Sequence, residues 1–356
     1  MEKSLRFGFC TYYRSGCQAT IHSLRLANLV FKRGHDVSIW SSSDKHETID
    51  PDWDHGVHYR DMLPYQEWVA DCDVLIWTTI PSPELIECAA EAKCYNVLML
   101  DWHQLSPQLQ ASCAMVDKIV VPCVQSRDLI IENWKLNDIA VIPWDPGIPS
   151  TRSEVKQEPD RVRLCWRMEG DWVKHIGGGA VVAMRQLAED LPTLDQTVVI
   201  HNAWASRETL RWLRRFAREL GPQRFRLMTS PHVSRGQIQL EVARNDFLVW
   251  PALCDGVGSI PLEALTMGTP VIAVDVQPVS DCIRHERNGI LTACELEYNW
   301  FGAPRASIYA YKAMTEAIAE VAQDNELIDK CRRGTRIDLH QREDRFVTSW
   351  TKLLSL

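Results

Sequence analysis

The residues Cys254-Asp255-Gly256-Val257-Gly258-Ser259-Ile260-Pro261-Leu262-Glu263 gather the residue types that hold a phosphorylated ligand. Gly256 and Gly258 carry no side chain, so the N–H groups of the turn Gly256, Val257, Gly258 and Ser259 can approach an anion closely. A helix beginning near Pro261 would aim its positive end at the same place. A diphosphate fits such a turn without a metal ion. Glu263, one turn into the helix, is placed to accept two hydrogen bonds from ribose hydroxyls. Asp255, ahead of the turn, can accept from the hydroxyls of a sugar. The same pattern also reads as a glycine-rich turn before an ordinary helix, with Asp255 at the surface and Glu263 offsetting the helix dipole.

Other patterns with chemical potential are weaker. Asp52-Trp53-Asp54 and Asp71-Cys72-Asp73 have the Asp-x-Asp spacing of a metal motif, but the first lies in a polar loop and the second flanks a strand. No His, Cys and carboxylate cluster has zinc spacing, and none of the 12 cysteines forms a CxxC pair. Cys10, Cys165 and Cys282 sit in apolar runs and read as buried reduced thiols. Neither a Walker A motif nor a G-x-G-x-x-G fingerprint is present. The segment Arg207–Leu220 interleaves Arg207, Arg211, Arg214, Arg215 and Arg218 with Leu210, Leu213, Phe216 and Leu220. It reads as a solvated charged face over a core stripe, or as a contact for phosphates or anionic lipid.

The elements that must position these residues alternate between strand and helix. Leu5–Thr11, Asp36–Trp40, Asp73–Thr78, Asn96–Leu100, Lys118–Pro122 and Ala140–Pro143 read as strands, with helices at Ile21–Lys32 and Pro83–Ala92. Gly147–Asp160 is proline-rich, polar and without period, as a linker is. Strands then resume at Arg163–Trp166, Thr197–His201, Phe225–Met228, Phe247–Trp250 and Val271–Val274. Strands separated by helices imply parallel sheets covered on both faces. The expected organisation is an α/β domain over 1–150, a second over 151–335, and a C-terminal helix over 336–356 packing back on the first. Ligands of such sheets bind beyond the carboxyl ends of the strands, so two facing domains would share a central cleft.

Composition narrows the class. A chain of 356 residues suits two cores. With 46% hydrophobic and 24% charged residues it is ordinary for a globular protein. No run approaches the length of a membrane helix, and the start lacks the pattern of a signal peptide, so a cytoplasmic location is expected. A net charge of −8 disfavours bulk attraction to nucleic acid or anionic lipid but permits a local basic patch.

The stretch from Cys254 to Ala273, continuing through Gly268-Thr269-Pro270-Val271, resembles the donor-binding signature of retaining glycosyltransferases of the GT-B fold, family 4 type. That signature has an acid, a glycine-rich turn and a glutamate eight positions on, here Asp255 and Glu263. The first acid is usually glutamate, so Asp255 is a departure that shortens the reach by one methylene. Val116–Pro122 with Ser126-Arg127-Asp128, Ala140–Pro143, and Lys32–Val37 are similar to other family segments in the same order. The resemblance implies the GT-B fold, two Rossmann-like doubly wound domains, and metal-independent sugar transfer from a nucleotide-sugar to an acceptor hydroxyl, with no further cofactor. It implies that Arg167 and Lys174 clamp the diphosphate and that His103 faces the cleft, where it would hydrogen-bond the donor sugar or polarise the acceptor side, with Asp101 orienting it or acting separately. Gly16 lies in the loop between the first strand and helix, which approaches the donor phosphate and the acceptor. The donor would be bound by Arg167, Lys174, Glu263, Gly16, Gly256, Val257, Gly258 and Ser259, with His103, Asp255 and Asp101 at the reacting centre.

A glycan, lipid or small-molecule acceptor is the first expectation. Gly34–Val37 and Asp71–Ile76 also resemble segments of phage enzymes that glucosylate hydroxymethylcytosine in DNA, so a hydroxymethylated pyrimidine is the second. Tyr12, Tyr13, Trp102 and Trp144 are aromatic residues suited to stacking on a sugar or an extruded base. A non-catalytic sugar-nucleotide binder and a sugar-nucleotide epimerase are the readings from other classes.

Overall fold

A computed structural model describes residues 4–11, 18–41, 58–59, 63–100, 110–145, 161–168, 177–201, 207–230, 233, 235–298 and 304–355. The chain divides into two compact units, Met1–Gly147 together with Arg342–Leu356, and Ile148–Gln341. The Gly147–Asp160 segment lies outside the described residues.

In the first unit, strands β1 (Arg6–Thr11), β2 (Asp36–Ser41), β3 (His58–Tyr59), β4 (Val74–Trp77), β5 (Tyr95–Met99), β6 (Lys118–Val121) and β7 (Ile139–Val141) form one sheet. The order is β3-β2-β1-β4-β5-β6-β7, and every pairing is parallel. Helices α1 (Gln18–Lys32), α2 (Tyr65–Val69), α3 (Pro83–Glu91), α4 (Gln110–Ala114) and α5 (Val124–Trp134) connect them. All four residues of β4, Val-Leu-Ile-Trp, are buried, as a central strand covered on both faces requires. Past the end of α1, Gly34 sits at φ 87°, a left-handed turn suited to glycine. Asp71 and Asp73 are engaged by Arg6: Asp73 Oδ2 accepts from the Arg6 backbone N–H at 2.8 Å, and Asp71 lies 3.6 Å from the guanidinium. Their role here is to tie β1 to the start of β4. Asp52 and Asp54 lie outside the described residues.

The second unit repeats the design. Strands β8 (Val162–Met168), β9 (Leu194–His201), β10 (Phe225–Ser230), β11 (Phe247–Trp250), β12 (Val271–Val274) and β13 (Gly289–Thr292) lie in the order β10-β9-β8-β11-β12-β13, again all parallel. This is the doubly wound order whose strands reverse direction of travel between the first and fourth, here between β8 and β11. Helices α6 (Gly177–Asp190), α7 (Arg207–Leu220), α8 (Arg235–Ala243), α9 (Ser259–Thr266), α10 (Val279–Cys282) and α11 (Ala310–Val321) cover it, and β14 (Leu296–Tyr298) pairs antiparallel with β15 (Pro304–Ala306). Strands β3 and β13 escape sequence reading. The first is two residues in a polar stretch, and the second is a short Gly-Ile-Leu-Thr segment with no alternation.

Side-chain alternation sorts the core of this unit into two layers. Leu164, Trp166 and Met168 of β8 join Met184, Leu213, Phe216 and Met314 on the face covered by α6, α7 and α11. Cys165 faces the other way and joins Leu262, Leu265 and Val242 from α9 and α8. Burial holds the Cys165 thiol up at about 12, and that of Cys72 in the first unit likewise. None of the 11 described cysteines is in a disulfide.

The last helix, α12 (Asn325–Leu354), starts well before position 336 and runs unbroken for 30 residues. In the second unit its Arg332 donates to Asp246 Oδ1 at 2.5 Å, while Asp246 Oδ2 accepts from the Arg163 backbone N–H at 2.7 Å. Burial lowers the Arg332 pKa and the Asp246 charge opposes that shift. Its final turns belong to the first unit, where Phe346, Trp350 and Leu354 form a buried stripe. Glu343 there accepts from Arg25 of α1 at 2.5 Å.

Gly334 of α12 lies against the Arg287 carbonyl, which a Cβ at this position would meet at 1.7 Å. Since backbone, not a flexible side chain, blocks the space, Gly334→Ala should destabilise the protein by about 3 kcal/mol, the upper end for overpacking. A urea denaturation midpoint checks this. A change under 0.5 kcal/mol would mean that α12 can shift away freely.

Candidate functional site

The parity of β8 decides where its second half points. Arg167 lies two residues beyond Cys165 and so shares the face covered by α8 and α9. On that face Arg167 Nη1 donates to Glu263 Oε2 of α9 at 2.9 Å. From α8, Gln239 Nε2 donates to Glu263 Oε1 at 2.7 Å. Glu263 is 2% exposed and Arg167 15% exposed by side chain. Both carboxylate oxygens of a buried acid are therefore served by donors from two different elements. This is the arrangement a buried charge requires.

The turn ahead of α9 is organised by Asp255. Its Oδ1 accepts from the N–H groups of Val257 and Gly258, each at 3.0 Å. Gly258 adopts φ 69°, a left-handed conformation that a side chain would strain, and it caps the helix that starts at Ser259. Asp255 is 5% exposed, so the reading of a surface acid is corrected. Two of the N–H groups expected to face an anion, those of Val257 and Gly258, are instead turned onto this carboxylate. An aspartate reaches back to its own turn more readily than the longer glutamate, which accounts for the difference. In the first turn of α9 the N–H groups of Ser259 and Ile260 have no acceptor within the helix, and Pro261 has none to offer. These two N–H groups are left for an acceptor outside the helix.

Arg167 stands near the carboxyl end of β8, and the Asp255 turn follows the carboxyl end of β11. They lie on the two strands that flank the switch point of the sheet, where doubly wound folds bind their ligands. The structure thus brings together Arg167, Asp255, Gly256, Val257, Gly258, Ser259 and Glu263 in one unit. Lys174, Gly16, Asp101 and His103 lie outside the described residues. Gln239 is a site residue that sequence reasoning misses. It is an unremarkable polar position in a helix, and only the fold shows its amide at Glu263.

Of the aromatic candidates, Trp144 is corrected. It is 5% exposed and packs on His22 with ring centroids 4.7 Å apart, so its ring belongs to the core of the first unit and is not free to stack on a ligand. Tyr12, Tyr13 and Trp102 lie outside the described residues. Among the described residues no three or more His, Cys, Asp or Glu converge as a metal site, and no helix is long and apolar enough to cross a membrane.

The Asp255 turn yields a stability test. Asp255→Asn keeps an acceptor oxygen for both N–H groups and should leave the urea midpoint within about 0.5 kcal/mol of the parent, whereas Asp255→Ala should cost about 1–2 kcal/mol, as loss of a cap does. Equal losses in the two variants would show that the charge, not the acceptor, holds the turn.

Residues 182–300 match the family described as glycosyl transferases group 1, a segment that includes Gln239, Asp255 and Glu263 but not Arg167. No curated protein matches the sequence at a significant level. Among solved structures the chain is similar to a glycosyltransferase from Rickettsia africae, with a TM-score of 0.72 at 11% identity over 98% of this chain and 97% of that one. It is similar to HepE from Anabaena in complex with UDP and glucose, with a TM-score of 0.69 at 13% identity over 99% and 100%. A pneumococcal O-GlcNAc transferase, GtfA, in complex with UDP and GlcNAc gives 0.69 at 12% identity over 99% of each chain. The chain has the GT-B fold, and its second unit carries a segment that matches the group 1 glycosyl transferases.

Proposed function

We propose that this protein transfers a sugar from a nucleoside-diphosphate sugar to an acceptor hydroxyl. The observation that carries the reading is Glu263, a buried carboxylate at a sheet's switch point, next to a glycine turn and gripped by an arginine. Vicinal ribose hydroxyls suit such an acceptor, and the Ser259 and Ile260 N–H groups suit the diphosphate. The match to the group 1 glycosyl transferases and the UDP held by HepE support the same reading.

In this reading Arg167 and Lys174 offset the charge that grows on the leaving diphosphate. His103, oriented by Asp101, meets the donor sugar or the acceptor. The transfer retains the anomeric configuration in the manner of family 4, without a metal. Departure and attack occur on one face of the sugar. The bond from the anomeric carbon to the phosphate oxygen breaks, the acceptor oxygen bonds to that carbon, and the acceptor proton passes to the leaving phosphate oxygen. The protein then supplies position and electrostatics rather than a strong base. The acceptor is the hydroxyl of a glycan, lipid or small molecule. A second reading, transfer to a hydroxymethylated pyrimidine in DNA, is favoured by the arginine face of α7.

Glu263 and Arg167 lend themselves to a binding test. Thermal unfolding against UDP, GDP, ADP, CDP and dTDP should show one nucleotide that raises the Tm by a few degrees, since a ligand at a hundred times its Kd adds about 2.7 kcal/mol. Glu263→Gln should abolish that rise while the free variant still melts cooperatively. No rise with any nucleotide would sink the donor-site reading.

The stereochemical proposal has its own test. With the matching sugar-nucleotide and an acceptor that turns over, NMR of the product should show the donor's anomeric configuration, at a rate unchanged by EDTA. An inverted product, or activity lost to EDTA and restored by a divalent cation, would overturn it.

A further inference from the structure

Helix α7 carries a charge pattern that the donor site does not use and that only the second acceptor reading draws on. Arg207, Arg211, Arg214 and Arg218 follow one another at intervals of four, three and four residues. At 100° per residue they fall within roughly 60° of arc, in one stripe that rises about 16 Å along the helix. All four are exposed. None has a carboxylate at ion-pair distance among the described residues, although the chain as a whole carries a net charge of −8. The helix's own acids stand aside from the stripe: Glu219 is paired with Arg215 at 2.7 Å, and Glu208 lies on the same flank.

Four guanidinium groups in a row, with no carboxylate partner among the described residues, repel one another at helical spacing, and a polyanion relieves that repulsion. We infer that this face of α7 binds the phosphodiester backbone of DNA. Successive arginines here are separated along the axis by about 4.5–6 Å, and their long side chains can reach successive phosphates of one strand. Guanidinium groups suit phosphate oxygens through paired N–H donors. Next to the stripe, Arg214, Arg218 and Arg226 line a groove of about 710 Å3 floored by Ala217, Phe225 and Met228, beside the edge strand β10. Arg226 is 3.3 Å from Glu241 and half-exposed, so it adds a partly neutralised charge to the groove.

The alternative occupant, an anionic bilayer, fits less well. A helix that lies in a lipid interface inserts an apolar face, and here that face is spent on the core: Leu213 and Phe216 are buried. Trp212, the exposed aromatic of α7, is displaced roughly 130° from the centre of the stripe and has the Arg215 guanidinium 5.7 Å over its ring. The stripe offers charge without an anchor, which is what a phosphate backbone needs. α7 follows β9, so Arg207 begins at the carboxyl edge of the same sheet that carries Arg167 and the Asp255 turn. The inference rests on α7 and the adjoining groove and holds for either acceptor reading.

Fluorescence anisotropy with a labelled 20-base-pair duplex tests it. The whole protein should bind at low salt, with a log K against log [salt] slope approaching about −3.6 if all four arginines meet phosphates, at ~0.9 each. Arg211→Glu, Arg214→Glu and Arg218→Glu together should weaken binding at least tenfold and flatten the slope. The three lysine substitutions should preserve most of it, and both variants should keep the parent's circular dichroism and Tm. If the glutamate variant fails to fold, the parent's slope and the lysine variant still decide the matter. No duplex binding at low salt, a slope near zero, or reversal without effect would overturn the inference. So would co-flotation with phosphatidylglycerol vesicles by a protein that ignores DNA. Because the duplex assay needs no nucleotide, its failure is separable from failure of the donor site.

Discussion

A carboxylate inside a protein is tolerated only where donors replace the water it has lost, and Glu263 meets that condition from two directions. Arg167 reaches it from a strand and Gln239 from a helix. Each partner is where it is because of a larger constraint. The alternation of β8 sends Leu164 and Trp166 to one layer, leaving Cys165 and Arg167 for the other. The parallel order of the sheet then puts β11, and with it the turn into α9, directly beside β8. Remove the pairing and the acid becomes an uncompensated buried charge, an error of several kcal/mol in a molecule whose whole stability is of that order.

The same pairing has a chemical meaning. A carboxylate satisfied by donors from a strand and a helix is held in one orientation before anything else reaches it. Arg167 commits Nη1 to Glu263, while a guanidinium carries five N–H donors in all. Asp255 contributes differently. By accepting from Val257 and Gly258 it fixes the left-handed turn at Gly258, which in turn aims the first N–H groups of α9.

Much of this was legible in the chain. Continuous apolar runs such as Val74-Leu-Ile-Trp and Phe247-Leu-Val-Trp announce buried parallel strands, and the Asp255–Glu263 spacing announces the turn and its helix. Other features were hidden for physical reasons. Strand β13 exists because β12 offers it a free edge, a long-range fact that its four residues do not encode. Gln239 becomes part of the site only when α8 packs beside α9. Trp144 looked available until its burial against His22 was seen, since a tryptophan in a polar context gives no sign of which face the fold will cover. Asp255 was read for its ligand and not for its own turn, the commoner use of a short acidic side chain before a helix.

The path of α12 bears on how the molecule is made. Residues Arg342–Leu356 complete the first unit, yet they are synthesised only after the whole of the second. Phe346, Trp350 and Leu354 supply a buried stripe that the first 147 residues do not possess. On the ribosome the amino-terminal unit therefore waits, short of part of its own core, while the whole of the second unit is translated. Domains that are continuous in sequence mature in order of their emergence. Here the second unit can finish folding before the first, whose core is completed only when the later turns of α12 arrive.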